Sequence, residues 1–450
     1  MAIWSPPAEP AAKPEKTLSR PDPTQAYPEE SLLYPGWRVV GICQIGVLTG
    51  IATIFFTIFT LFIKPWQHDF GWSREQISQA FSLAAISVAI CSPFMGRFLD
   101  RFEPRRLITG MMVAFGLGFG SLAWLTPHLG RLYATTVFIG IAGTGTYQLG
   151  YARIVASWFE RRLGTALSIV VAGSGLGSLF FPPLVQHSIT VYGWRHTYLI
   201  LAALPLFLGA PLTFFFAPSL RAPSAYKPAD AEDVSVPGLQ WRRGLATRSF
   251  WLIALGVCCM SLAENGALVH LAPMLSDRGL KLEDAAFIVS ILGGSSVAGR
   301  LLLGWILDYL EGSYIAACSL LLAGSGLSLL GRGHSFHAAV SAAVIAGLGM
   351  GCEFDLMPYM LKRYFGMRSF STMYGLIYTV YAAAGATAPL ILGHIYDITG
   401  SYTRILSLFS GFTAAAGICM LALPAYRYAG SVPTPPGSFI LEPEALIESN

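Results

Sequence analysis

The stretch Met95–Arg106, MGRFLDRFEPRR, closes a long apolar segment with Gly96, Asp100 and Arg101 and then turns through Pro104, Arg105 and Arg106. It recurs. Asp69, Gly71, Gly96 and Asp100 reappear as Asp277, Gly279, Gly304 and Asp308, each displaced by about 208 positions, the long-range self-similarity of a duplicated unit. Two similar apolar halves are therefore fused in one chain.

Composition sets the class of those halves. Of 450 residues 54% are hydrophobic, 12% are charged and 47 are glycine, which excludes an ordinary soluble enzyme. A bilayer core needs ~20 apolar residues per spanning helix, and glycine and proline are commoner in such helices than in soluble ones. About twelve segments qualify, six in each half. A formal charge of +4 is too small to argue for nucleic acid, and no basic run is interleaved with aromatic residues. The seven cysteines all fall inside apolar segments without a CxxC pair, so they read as small hydrophobes rather than as a disulfide or metal framework.

In chain order, residues 1–36 read as a disordered cytoplasmic tail, 37–217 as the first six-helix unit, 218–249 as a polar cytoplasmic linker, 250–425 as the second unit and 426–450 as a cytoplasmic tail. Trp66 and Trp72 sit where interfacial aromatic side chains are expected. An even number of spans puts both ends on one side. Roughly 18 Lys and Arg lie in loops on that side against about 8 on the other, which makes it the cytoplasmic side of a plasma or bacterial inner membrane.

Parallel six-helix halves related by an axis along the membrane normal are a transporter architecture with its substrate site at the midplane. The fold expected is all-α and integral to the membrane, with twelve transmembrane helices in two pseudo-symmetric six-helix bundles. In the opening stretch, Gly96 lets a neighbouring helix approach closely, and Asp100 can accept hydrogen bonds or meet a positive helix N-terminus. Such a latch, with Arg101, Arg105 and Arg106 and the repeated Gly304 and Asp308, could gate access; the three arginines could equally do no more than fix topology.

Met95–Arg106 resembles the signature loop between the second and third helices of the major facilitator superfamily, with Glu103 where glycine is usual. Phe159, Arg161, Arg162, Ala166, Ala172, Gly173 and Gly177 are similar to the start of the fifth helix of its monocarboxylate transporters and oxalate/formate antiporters. Tyr192, Gly193, Trp194 and Arg195, and Asp397, Thr399, Gly400, Ser401 and Tyr402, belong to the same likeness. The resemblance implies alternating access, a small organic anion, partners in protons and the bilayer, a functional monomer and no cofactor. It also implies that Arg300 holds substrate. Ser296 replaces the family's aspartate one turn earlier, and Thr57 replaces its first-helix lysine.

The residues alone also single out Arg300, since an ionisable side chain deep in a span is costly and marks function by default. Its guanidinium could hold a carboxylate through two parallel hydrogen bonds, or pair with a buried acid, Glu264 or Glu353. Glu264, Glu353 and Asp355 are candidates for a coupling proton. Glu353 and Asp355 lie about 200° apart on a regular helix, and Glu353, after Gly347, Gly349 and Gly351, is the one favoured to face a cavity. Arg153 reads either as a second anion anchor or as a snorkelling interfacial residue. Tyr147 and Tyr151, Asn265 and Tyr378, beside Tyr374 and Tyr381, offer uncharged donors. The isolated His187 and His270 argue against metal. Gly173–Pro183 in the fifth span and Gly385 with Pro389 in the eleventh suggest bendable helices.

The function expected is proton-coupled movement of a monocarboxylate. An organic-anion antiporter or an exporter of another solute is the alternative within transport, and a non-transporting sensor on the same fold is the alternative outside it. No Walker loop and no nucleophile with a base partner is visible, so neither ATP use nor an enzyme is expected.

Overall fold

The computed structural model describes residues 28–216, 237–332, 335–351, 353–399 and 402–428. Most of the expected N-terminal tail, most of the linker and the C-terminal tail lie outside the described residues, as do Gly400, Ser401 and the side chains of His270, Asp277, Glu353, Pro389 and Asp397. Twelve spans follow one another: α1 (35–62), α2 (Arg74–Arg101), α3 (Pro104–Ser121), α4 (129–158), α5 (163–192), α6 (194–216), α7 (Arg248–Asp277), α8 (Leu282–Ile306), α9 (Gly312–Arg332), α10 (336–365), α11 (Phe370–Thr399) and α12 (Thr403–Met420).

Local chemistry sets the ends of these helices. Ser73 and Gln76 form a reciprocal capping box at the start of α2, and Pro35 and Pro104 occupy the first turns of α1 and α3, where a missing N–H costs nothing. The run 163–216 would be one helix of 54 residues, about 80 Å at helical rise and far longer than a bilayer core. Gly193 breaks it with φ 76° and ψ 160°. The repeated glycines after α1 and α7 have one cause too: Gly71 at φ 68° and Gly279 at φ 87° close equivalent turns in the left-handed conformation.

That turn also explains Trp66 and Trp72. Neither rings the membrane surface. Trp66 is fully buried and stacks with Tyr198, and Trp72 donates from Nε1 to the Pro127 carbonyl. Asp69 accepts from Trp194 Nε1 and the Arg195 guanidinium, each at 2.9 Å, tying the α1–α2 turn to the α5–α6 turn.

The continuity of the helices differs from the glycine and proline pattern. The fifth span runs helically through Pro182 and Pro183, and the eleventh is unbroken over Phe370–Thr399, since a proline in a span removes one hydrogen bond that neighbours can replace. Interruptions fall instead at similar places in the two halves, between Thr144 and Gln148 in α4 and at Gly351 in α10. A π-helical turn over Ala52–Thr57 loosens α1 beside the first break, where Thr146 Oγ1 accepts from the Ile51 amide.

The halves meet along two seams, α2 against α11 and α5 against α8. On the first, Gly96 packs against the Ser371 carbonyl and Gly375 against that of Ser92; on the second, Gly304 packs against Ser168 and Gly164. Each glycine has backbone or a short side chain where its Cβ would go, so the bundles touch there almost main chain to main chain. Gly375→Leu should therefore wedge the first seam open at an overpacking cost of about 1–3 kcal/mol. A cysteine introduced at Ser92, in a background freed of native cysteines, should then react with a thiol reagent at least about tenfold faster; an unchanged rate would show that this crossing closes nothing.

Candidate functional site

Both seams end, on the side carrying the termini, in an acid that caps a helix of the other bundle. Asp100, at the end of α2, accepts from the amides of Ser371 (3.0 Å) and Thr372 (2.8 Å) and the Thr372 hydroxyl (2.6 Å) at the start of α11. Asp308, just past α8, accepts from the amides of Gly164 (2.7 Å) and Thr165 (3.2 Å) and the Thr165 hydroxyl at the start of α5. Each carboxylate meets orphan N–H groups and the positive end of a helix dipole.

The two caps differ in one respect. Arg153 donates to Asp100 and to Ser371 Oγ, making a buried ion pair across the first seam. Arg153 therefore neither snorkels to the membrane surface nor stands ready for an anion. Among the described residues no cation pairs with Asp308 in this way: Arg162 nearby donates to Tyr309 Oη and lies over its ring. Burial consequently pushes the Asp308 carboxyl up to about 6, against the downward pull of Thr165, Gly164 and Arg162. Around the signature turn, Arg105 and Arg106 both pair with Glu103, and Arg101 is exposed.

A third group of contacts closes the same side. Glu160, in the α4–α5 turn, accepts from Lys362 Nζ (2.7 Å) and Arg363 (3.4 Å) at the end of α10, while Lys362 also donates to the Ala156 and Phe159 carbonyls. Glu29, ahead of α1, accepts the amides of Glu160, Arg161 and Arg162. Sequence reasoning passed over Glu160, Lys362 and Arg363 because a charged turn and a basic helix end look like any loop flank. Lys362 and Arg363 are nonetheless 6% and 1% exposed, and burial is not visible in a sequence.

Deeper in the span, the broken helix α10 meets α8. Arg300 donates from Nε to the carbonyl of Gly351, at the break, and lies 3.9 Å from Asp355 Oδ2. Asp355 is fully buried, and among the described residues neither of its oxygens has a closed hydrogen bond; Ser168 of α5 faces it from the other bundle. Ser296 packs its backbone on Gly351, one turn from Arg300. Among the described residues the acid beside Arg300 is Asp355, while the side chain of Glu353 lies outside them.

The break in α4 positions Tyr147, whose ring lies 5.0 Å from that of Tyr378 on α11, with Tyr381 5.8 Å further along. The Tyr381 hydroxyl donates to Glu264 Oε2 at 3.3 Å, and Asn265 donates to the Ser261 carbonyl at 3.1 Å. Tyr151 stands apart. It is fully buried within the first bundle, against Gly46, with its hydroxyl 3.3 Å from Thr213 Oγ1. Thr57 lies 3.2 Å from Ser178, and Ser178 lines a cavity of about 720 Å³ between α1, α5 and α8 that also touches Gln44, Ser290, Gly293 and Val297. Val297 is one helical turn from Arg300, so the cavity wall and the Arg300–Asp355 pair adjoin.

Two pseudo-symmetric six-helix bundles, closed on one side by cross-bundle caps and hollow between α1, α5 and α8, define a membrane transporter. The chain belongs to the Major Facilitator Superfamily, whose model matches residues 45–389. It is similar to monocarboxylate transporter 12 of Rattus norvegicus, 27% identical over 84% of this chain and 82% of that protein. Monocarboxylate transporter 13 of Bos taurus is 26% identical over 89% and 91% of the two chains. Among solved structures, the E. coli fucose:proton symporter superposes with a TM-score of 0.66 at 13% identity over 85% of this chain and 97% of that one. The human organic anion transporter MFSD10 does so at 0.64 and 16% over 86% and 99%; both establish the fold alone.

The raised Asp308 carboxyl sets a pH dependence. Opening the second seam returns it to water, where its affinity for a proton falls back to the ordinary value, so the closed form binds the proton more tightly. Acidifying the termini side from about pH 7 to below 6 should then favour closure, and raising the pH through about 6 should remove that gain. Paired spin labels on the ends of α5 and α8 should report more of the short distance at pH 5 than at pH 7, and Asp308→Asn should abolish the difference. Equal distributions at both values in the unsubstituted chain would contradict it.

Proposed function

We propose that this transporter carries a small organic anion, a monocarboxylate, together with a proton, by alternating access, across a plasma or bacterial inner membrane with both termini in the cytoplasm. The observation that carries the reading is the Arg300–Asp355 pair, 3.9 Å apart at the break in α10 and beside the inter-bundle cavity. The similarity to monocarboxylate transporters supports the class of substrate.

A buried arginine and carboxylate held at 3.9 Å without direct bidentate contact leave several guanidinium donors for a second carboxylate. When a substrate carboxylate takes Arg300, Asp355 loses the cation that faces it among the described residues and becomes an uncompensated buried charge, a cost of several kcal/mol. Uptake of a proton by Asp355 removes that cost, so anion and proton bind together. The family resemblance implies an acid one turn before the arginine on α8; this chain has Ser296 there, and on this reading Asp355 of α10 supplies the acid instead.

Asp355 also faces Ser168 across the α5–α8 seam, so a change in its charge is felt at a contact that must part for the termini side to open. With the caps formed by Asp100 and Asp308 in place, the described conformation is closed towards the termini, which on this reading is the outward-facing state. Glu264, bonded to Tyr381, is the second acid able to carry a proton, at a place between α7 and α11.

Uptake of radiolabelled monocarboxylates into proteoliposomes, driven by an inward proton gradient, tests this. Arg300→Lys keeps a charge but loses the fork geometry, and should lower uptake at least about tenfold, the value of one charge-assisted hydrogen bond. Uptake by Arg300→Lys within twofold of the unsubstituted chain, or movement of no carboxylate under any gradient, would overturn the reading.

A further inference from the structure

The cavity beside Arg300 differs from its surroundings in what lines it. At about 720 Å³ it falls within the range of sites that enclose drug-sized ligands, whereas a three-carbon acid fills only a few times the ~30 Å³ share of one water molecule. Its wall is apolar: Leu176, Leu179, Val297 and Leu301 project from α5 and α8, and Gln44, Ser178 and Ser290 are the uncharged polar exceptions. Among the described residues no charged side chain lines it.

Two of its glycines are not there for helix packing. Along α8, Gly299 lies against the backbone of Leu348 and Gly304 against Ser168, so a side chain at either would collide with a neighbouring helix. Gly293 and Gly294 have nothing within 4 Å of where a Cβ would stand. Glycine within a helix is destabilising relative to alanine, and no tight crossing offsets it at these two positions. What their missing side chains leave is the hollow itself. Gly175, across on α5, similarly meets only Val297, at 3.6 Å.

Arg300 stands at the margin of this hollow. Gly293 and Val297 precede it by seven and three residues and so lie on its flank of α8, while its guanidinium turns towards Gly351 and Asp355. The space itself is therefore apolar and wide, and a cation adjoins it along α8 without lining it.

From this juxtaposition we infer that the transported acid is an amphiphilic monocarboxylate whose bulky aliphatic or aromatic body occupies the α1–α5–α8 cavity while its carboxylate meets Arg300. The inference rests on the anion reading above and narrows it. Transfer of each methylene from water into such a wall strengthens binding about fourfold, so an acid with several more carbons than pyruvate gains selectivity from the cavity alone.

The test is uptake by proteoliposomes of the full chain, with pyruvate, 4-methyl-2-oxopentanoate, phenylpyruvate and the neutral amide of phenylpyruvate as probes, in the unsubstituted protein and in Gly294→Leu. Leucine at 294 projects into open space, so it fills the hollow without a packing clash and removes a helix-weakening glycine. The two larger acids should be taken up with kcat/KM at least tenfold above pyruvate. Gly294→Leu should lower both at least tenfold more than it lowers pyruvate. Preference for pyruvate, or a Gly294→Leu variant that treats all acids alike, overturns the cavity assignment and leaves the anion reading intact. Uptake of the neutral amide in place of the acids, sensitive to Gly294→Leu, overturns the anion reading and keeps the cavity as the site. Movement of none of the four probes overturns both.

Discussion

A carboxylate buried where two helix bundles meet has to be satisfied by the opposite bundle, and the closed side of this transporter is built on that constraint. Asp100 and Asp308 each leave the end of one helix and take the free amides of another across the seam. Neither acid could occupy its place without those donors, because an ion out of water costs several kcal/mol unless paired or hydrogen-bonded. The donors, in turn, are the unsatisfied first-turn amides of α11 and α5. Closure and satisfaction are the same event, which is why the glycines that let the seams close sit one turn from the acids that hold them.

Asp355 is the third acid at this boundary and the one without such a solution. It is buried, it has no helix terminus to cap, and among the described residues its compensation is the guanidinium of Arg300 at 3.9 Å. A pair held so loosely is poor as a structural brace and well suited to being exchanged. On the proposed account a substrate carboxylate and a proton replace the two halves of this pair, and the contact with Ser168 passes the change to the α5–α8 seam. Binding then acts on opening only through a difference in affinity between the closed and open forms, as any two-state coupling requires.

The architecture was legible in the sequence because it rests on period and composition. Apolar length gives the spans, and the 208-residue repeat finds its cause in left-handed Gly71 and Gly279 and in the paired caps of Asp100 and Asp308. The site was legible only in part. Arg300 declares itself by charge at depth, but its partner depends on which side of α10 is turned towards α8, and the sequence does not give the rotation of one helix against another. The break in α4 separates Tyr147 from Tyr151: four residues apart, they would share a face of a regular helix, yet Tyr147 has extended backbone at the break (φ −75°, ψ 169°) and meets α11, while Tyr151 turns into its own bundle. Glu160, Lys362 and Arg363 carried no signal, since the sequence does not say which basic residues at a helix end are buried.

Coupling of anion and proton through Asp355 is the central claim, and proton flux reads it directly. With a pH-sensitive dye sealed inside proteoliposomes, addition of a transported monocarboxylate outside should acidify the lumen through the unsubstituted chain. Asp355→Asn should still exchange labelled for unlabelled anion while the acidification disappears. Acidification that persists in Asp355→Asn, in step with anion entry, would contradict the account and move the proton to another acid.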